Sequence, residues 1–132
     1  MYNVFVYGTL RKGFHNHSLI EDAEYLGNSY TCKEYSMLIC TSTGIPFVVK
    51  EKNYPIFGEV YKCDAKIMAN LDRLEGHPTF YRRELIDIFI PDGIDRIIEM
   101  KAWLYFLRGG YDYTRMYLSN DGEYKLNDFP LF

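Results

Sequence analysis

Short apolar runs separated by turn signals fill most of the first hundred residues of the chain. Runs of this length that are rich in apolar and aromatic residues predict β-strands. The predicted strands span residues 2–7, 23–32, 35–40, 46–50, 56–62, 84–90 and 97–106. The turn signal Thr-Ser-Thr-Gly at residues 41–44 predicts that the third and fourth strands form a hairpin. The segment 84–90 is too apolar for a strand with a solvated face, so it is predicted to be central in a sheet.

One segment carries clear signals for an α-helix at both of its ends. Asp64 is a good N-cap residue, and Gly76 followed by Pro78 ends the helical pattern. These signals predict a helix over residues 64–75.

A second, shorter helix is predicted from Asn16, as its N-cap, to about residue 22, with Leu19 and Ile20 turned inward. Six to eight strands with one or two helices, and no regular alternation between them, indicate the α+β class. Many short strands around a small core favour a small mixed barrel, closed or nearly closed. Residues after about 109 are rich in Tyr, Asn, Asp and Gly, and we interpret them as a tail that wraps the domain or packs on a partner.

Composition and charge exclude several classes of protein. A chain of 132 residues that is 48% hydrophobic is long enough for one domain with a core, so a single domain over residues 1–132 is predicted. The net charge of −3, without a basic stripe, argues against nucleic acid as a partner. No apolar run approaches the length of a membrane span, and the N-terminus lacks an export pattern.

Cys32, Cys40 and Cys63 are odd in number, and their spacing suits neither a zinc site nor a redox pair. We interpret them as reduced thiols in the core of a cytoplasmic protein. His15 and His17 lack nearby thiolates or carboxylates at ligand-like spacing, so no metal site is predicted.

The first candidate site lies where the first strand ends. Because Gly8 has no Cβ, the backbone amides of Gly8, Thr9 and Leu10 can face one anion. The spacing is not that of a phosphate-binding glycine loop, so a small carboxylate is the better candidate. Thr9 adds a hydroxyl, and Arg11 and Lys12 are expected to add a local positive field. The alternative is a buried strand that ends in an ordinary glycine turn.

The second candidate is a carboxylate at the edge of an apolar helix face. That face is shared by Ile67, Met68, Leu71 and Leu74. Glu75 follows Leu71 by four residues and therefore stacks next to it. Partial burial and the negative end of the helix dipole both raise the pKa of a carboxyl group in this place, which suits proton transfer at neutral pH. The alternative is a glutamate at a helix end that bends out into water.

Four stretches resemble three motifs of one known family. Tyr-Gly-Thr-Leu-Arg-Lys-Gly at residues 7–13 is similar to the first motif of the gamma-glutamylcyclotransferase (AIG2-like) family, and most similar to its gamma-glutamylamine cyclotransferases. Gly-Glu-Val-Tyr at residues 58–61 and Leu-Asp-Arg-Leu-Glu-Gly at residues 71–76 resemble the second motif, in which a helix ends in the catalytic glutamate. Glu75 falls on that glutamate. Tyr-Arg-Arg at residues 81–83 resembles the family's tyrosine–any–arginine element.

The resemblance implies a mixed barrel flanked by helices, with the site at one end. It implies an enzyme that cleaves a gamma-glutamyl amide by attack of the substrate's own α-amine, giving 5-oxoproline and a free amine without a cofactor. Glu75 is then the predicted catalytic acid and base. The predicted substrate-binding residues are Tyr7, Gly8, Thr9, Leu10 and Tyr81. The loop amides would hold either the substrate's α-carboxylate or the developing oxyanion, and the two tyrosines are candidate hydroxyl donors.

The leaving amine stays open between gamma-glutamylamines, such as a lysine side-chain amine, and gamma-glutamyl amino acids. A different class of function also stays open, namely a binding module that holds a gamma-glutamyl or similar small carboxylate ligand without turnover. Glu59, in a predicted strand, is interpreted as structural and is expected to pair with Arg83 or Lys62.

Overall fold

Eight strands and one α-helix make up the part of the chain that the computed structural model describes, which is residues 1–109 and 113–125. The strands are β1 (Tyr2–Val6), β2 (Glu24–Thr31), β3 (Tyr35–Cys40), β4 (Pro46–Tyr54), β5 (Phe57–Cys63), β6 (Tyr81–Pro91), β7 (Ile97–Leu107) and β8 (Met116–Leu118), and the helix is α1 (Ala65–Glu75). Two single turns of 3₁₀-helix lie at His17–Leu19 and Tyr113–Arg115.

Five strands close into a barrel in the order β1–β5–β2–β6–β7. The barrel is mixed because β1 and β7 run parallel, with Val4 opposite Trp103, whereas the other neighbours are antiparallel. The remaining strands form a separate sheet in the order β4–β3–β8. The predicted fold class is therefore confirmed, and so is the β3–β4 hairpin. The barrel has fewer strands than the predicted six to eight because three strands pair among themselves.

The helix α1 is capped at both ends as predicted. The carboxylate of Asp64 accepts a hydrogen bond from the amide of Ile67 at 2.8 Å. Gly76 adopts the left-handed conformation, with a φ of 65°, that ends the helix. Leu71 is fully buried, but Leu74 is 46% exposed, so the prediction that Leu74 belongs to the buried face is wrong.

Successive residues of β1 serve two different hydrophobic clusters, because neighbouring side chains of a strand point to opposite faces. Phe5 packs in the cluster that joins the barrel to the second sheet, where Met37 is fully buried. Val4 and Val6 pack in the cluster that joins the barrel to α1 through Leu71. The strand is therefore held on both faces, which fixes the position of the loop that follows it.

The predicted short helix is reduced to one 3₁₀ turn, His17–Leu19. The side chain of Asn16 does not cap it and instead donates to the hydroxyl of Thr9 at 3.0 Å. Ile20 is fully buried as predicted, whereas Leu19 is exposed.

The cysteines also differ from the prediction. Cys63 is buried, Cys40 is half-buried and Cys32 is exposed, so only Cys63 is a core thiol, and all three are free thiols. A cytoplasmic location stays a prediction.

The strand β6 lies between β2 and β7, so its central position is confirmed, although one of its faces is partly solvated and Leu85 is exposed. Of the predicted tail, residues 113–125 are described: β8 pairs with β3, and Tyr124 is fully buried. Residues 110–112 and 126–132 of that tail lie outside the described residues, and a single domain over residues 1–132 stays a prediction. No helix in the described part of the chain has the length and apolar character needed to cross a membrane.

Candidate active site

A cavity of about 340 Å³ opens where four parts of the chain meet: the loop after β1, the turn between β3 and β4, the last turn of α1 and the start of β6. It brings together the predicted catalytic residue and all five predicted substrate-binding residues. These lining residues are Tyr7, Gly8, Thr9, Leu10, Glu75 and Tyr81.

Other residues of the lining were not assigned to a site from the sequence, among them Cys40, Ile45, Phe47, Leu74, Phe80 and Tyr105. Cys40 and Phe47 flank the turn predicted at residues 41–44, but nothing local indicates that this hairpin folds over the end of β1. Only the three-dimensional pairing of strands places it there.

The loop after β1 has its carbonyl groups engaged and its amides available. The carbonyl oxygens of Gly8, Thr9 and Leu10 lie 3.0, 3.0 and 2.9 Å from Arg11 N, Asn16 N and His17 Nδ1, respectively. The amide nitrogens of the same three residues donate to no acceptor within residues 1–109 and 113–125. Successive unpaired amides at the wall of a cavity are typical of an anion site.

Gly8 is required by packing. A Cβ atom at this position would lie 2.7 Å from Cγ of Pro46, the first residue of β4. Pro46 lines the same cavity. The glycine therefore lets the β3–β4 hairpin approach the loop closely, which is a different reason from the access to a ligand that the sequence suggested.

Arg11 does not add a positive field to the cavity, so that prediction is wrong. Its guanidinium lies within a buried ion pair, with Nε 3.3 Å from Glu59 Oε2, and Nη1 donates to the carbonyl of Tyr124 at 2.7 Å. Glu59 also accepts from the amide of Lys12 at 3.0 Å and from the hydroxyl of Tyr61 at 2.8 Å. Glu59 is structural as predicted, but its partner is Arg11, and it anchors the loop from behind.

Glu75 is the last residue of α1, and its side chain lines the cavity. No hydrogen bond or ion pair reaches its carboxylate from the described residues. Burial disfavours the charged form and raises the pKa of Glu75 from 4.5 to about 7. A carboxyl group in this state exchanges a proton readily at neutral pH.

Two tyrosines of the cavity differ in what their hydroxyl groups do. Tyr7 donates to the backbone carbonyl of Tyr105 at 3.0 Å. The hydroxyl of Tyr81 has no partner among the described residues, while its ring stacks on Phe47 at 5.9 Å between centroids. Burial raises the pKa of both phenols well above the ordinary value, and the nearby Glu75 raises both further. Both therefore stay protonated at neutral pH, and Tyr81 has a proton to donate.

A half-buried carboxylate, that of Asp72, supports this wall of the cavity. The carboxylate of Asp72 accepts from Tyr105 Oη at 2.6 Å and from Arg83 Nε at 2.8 Å. The guanidinium of Arg83 also lies over the ring of Trp103 at 4.5 Å. Tyr105 is thereby held in place, and its backbone carbonyl in turn holds Tyr7.

Cys40 lies at the end of β3 and lines the cavity. Its Sγ is 3.4 Å from Ser42 Oγ. Hydrogen bonds from Ser42 and Thr43 lower the pKa of this thiol from 9.0 to about 7. Among the residues that the structure describes, no group of three or more His, Cys, Asp and Glu side chains is arranged to hold a metal ion.

Solved structures share this architecture. A crystal structure of an AIG2-like protein from Mus musculus superposes with a TM-score of 0.82 at 24% identity, covering 95% of this chain and 88% of that one. The solution structure of the protein YtfP from Escherichia coli superposes with a TM-score of 0.63 at 27% identity, covering 96% and 98%. The chain thus has the fold of the AIG2-like protein.

Sequence comparisons identify the family. The chain belongs to the gamma-glutamyl cyclotransferase, AIG2-like family, whose model matches residues 4–126. A putative gamma-glutamylcyclotransferase from Methanocaldococcus jannaschii is 41% identical, over 92% of this chain and 94% of that protein. The gamma-glutamylaminecyclotransferase B of Danio rerio is 34% identical, over 77% of this chain and 57% of that protein. The names of these relatives support an enzyme of the gamma-glutamylcyclotransferase type.

Proposed function

We propose that this enzyme releases 5-oxoproline and a free amine from a gamma-glutamyl amide, and that Glu75 moves the protons of the reaction. The observation that carries the proposal is the position of Glu75. Its carboxyl group lines the cavity without a hydrogen-bonding partner among the described residues, and burial raises its pKa to about 7. A carboxyl group with this pKa serves both as a base and as an acid near neutral pH.

The reaction needs no co-reactant, because the two protons that leave the α-ammonium nitrogen are the two that the leaving nitrogen gains. The α-ammonium group of the substrate gives one proton to the carboxylate of Glu75, and the neutral amine then attacks the side-chain carbonyl carbon, forming the new C–N bond of a five-membered ring whose nitrogen still carries two protons. The protonated Glu75 passes its proton to the amide nitrogen, which leaves as the free amine when the old C–N bond breaks and the carbonyl re-forms. The carboxylate of Glu75 then takes the second proton from the ring nitrogen, which gives the neutral amide of 5-oxoproline, and passes it to the released amine. The nucleophile belongs to the substrate itself, so the protein contributes mainly by folding the substrate back on itself.

The loop after β1 supplies the charge stabilisation. The free amides of Gly8, Thr9 and Leu10 hold either the α-carboxylate of the substrate or the oxyanion of the tetrahedral intermediate. Tyr81 is the better hydroxyl donor of the two tyrosines, because the proton of Tyr7 is engaged by the carbonyl of Tyr105.

A panel of gamma-glutamyl amides, incubated with the enzyme and assayed for 5-oxoproline by mass spectrometry, tests the proposal. Time-dependent release of 5-oxoproline in proportion to enzyme concentration is the expected result. Calorimetry on the same compounds separates the alternative: binding to the protein without any product over several hours would replace the cyclotransferase with a binding module. Neither binding nor product from any member of the panel would contradict both functions.

A further inference from the structure

The outer part of the cavity has an apolar rim, which we define as Ile45, Leu74 and Phe80. These three side chains line the cavity and are also 39%, 46% and 58% exposed, respectively. They come from three separate segments, the β3–β4 turn, the last turn of α1 and the residue before β6. Apolar side chains that converge at the mouth of a pocket, although each is open to solvent, mark a surface for an apolar group of a ligand.

The described lining of the cavity carries no permanent positive charge. Among the residues described by the structure, no lysine or arginine lines the cavity, and His15 at the edge is its basic side chain. Arg11 and Arg83 are bound to Glu59 and to Asp72. Arg108 lines a neighbouring pocket with Phe80, and its guanidinium donates to the carbonyl of Pro78 at 3.0 Å.

The free amides of the loop after β1 can bind only one anionic group of the substrate. In the proposed reaction they hold a negative charge of the glutamyl part of the substrate, so a second carboxylate, on the leaving amine, would meet apolar side chains and the carboxyl group of Glu75. Moving such a charge out of water without a partner is costly. The small volume of about 340 Å³, near the lower end of the range of about 300–1,000 Å³ for ligand pockets, leaves little room for a hydrated charge beside the glutamyl group.

We propose that the apolar rim is the subsite for the leaving amine and that it selects uncharged alkyl or arylalkyl amines over lysine and over α-amino acids. This inference rests on the proposed function, since it concerns the amine that the ring closure releases. It makes Ile45, Leu74 and Phe80 the residues that determine specificity.

Three substrates with the same five-carbon chain test this selection. They are gamma-glutamyl-pentylamide, gamma-glutamyl-norleucine, which adds one carboxylate next to the amide, and ε-(gamma-glutamyl)-lysine, which adds a carboxylate and an ammonium group at the far end. The value of kcat/KM for the pentylamide is expected to be at least tenfold above that of either charged compound. Equal or faster release of 5-oxoproline from a charged compound would overturn the inference and leave the proposed function intact. No 5-oxoproline from any of the three would overturn both.

A change at the rim tests the location of the subsite. Leu74→Arg places a permanent positive charge there, in a helix turn that already tolerates exposure and favours basic residues. The ratio of kcat/KM for the norleucine compound to that for the pentylamide is expected to rise at least fivefold, and any effect of the new charge on Glu75 cancels in this ratio. The matched control is Leu85→Arg, which is similarly exposed but lies in β6 outside the cavity. A ratio that responds equally to both substitutions, or to neither, would contradict this placement of the amine.

Discussion

The half-buried carboxyl group of Glu75 is expected to make the stability of the protein depend on pH. The folded state holds its proton with a pKa of about 7, against an ordinary value of 4.5. Between pH 4.5 and pH 7 the folded protein binds more protons than the unfolded chain, so the free energy of unfolding falls as the pH rises. The stabilisation by the protonated carboxyl group is therefore complete below pH 4.5 and is lost as the pH rises through 7. At about 1.4 kcal/mol for each unit of pKa, the loss amounts to about 3 kcal/mol.

Glu75→Gln, which resembles the protonated form, removes this loss. We expect the variant to match the wild type near pH 4 and to be more stable by about 3 kcal/mol at pH 8. Urea unfolding at a series of pH values, followed by the fluorescence of the single tryptophan, Trp103, measures the difference. Glu99→Gln, at an exposed position of β7, is the control for the loss of one carboxylate. A difference between Glu75→Gln and the wild type that does not change between pH 4 and pH 8 would refute the claim that this carboxyl group is desolvated.

Three further predictions concern neighbouring groups. Iodoacetamide should alkylate Cys40 well before the buried Cys63, because the thiol pKa is lowered to about 7 in Cys40 and raised to about 11 in Cys63. The alkyl group on Cys40 should block the cavity. Peptide mass spectrometry measures the alkylation, and a parallel activity assay measures the block. Tyr81→Phe removes an unpartnered hydroxyl and should lower kcat/KM about tenfold or more without a change in thermal stability. Glu59→Ala leaves the guanidinium of Arg11 buried without its carboxylate partner, so the free energy of unfolding should fall by about 3 kcal/mol in urea unfolding. A loss under about 1 kcal/mol would contradict a structural role for this ion pair.

Local signals in the sequence were enough to predict α1 and the loop after β1. Asp64 and Gly76 define the helix through their own backbone contacts, and Glu75 has its place at the edge of the apolar face because of helical spacing alone. These features depend on residues within a few positions of one another, which a pattern along the chain can represent.

Long-range pairing was beyond the reach of the sequence. The division of eight strands into a barrel and a second sheet depends on which edges meet, and similar apolar runs serve both. The partner of Arg11 is 48 residues away, and the carbonyl that holds Tyr7 belongs to Tyr105, 98 residues away. The residues next to Arg11 in the sequence do not indicate whether its guanidinium forms a buried ion pair with Glu59 or contacts a ligand.

We propose that Glu75 carries out the proton transfers of ring closure, and the decisive experiment is the rate of 5-oxoproline formation by Glu75→Gln. The rate is measured with a gamma-glutamyl amide that the wild type turns over, next to wild type and the Glu99→Gln control, after the fold of each has been checked by circular dichroism. We expect kcat to fall by about a hundredfold or more in Glu75→Gln, while the control keeps the wild-type rate. A folded Glu75→Gln enzyme that forms 5-oxoproline as fast as the wild type would show that Glu75 does not move the protons.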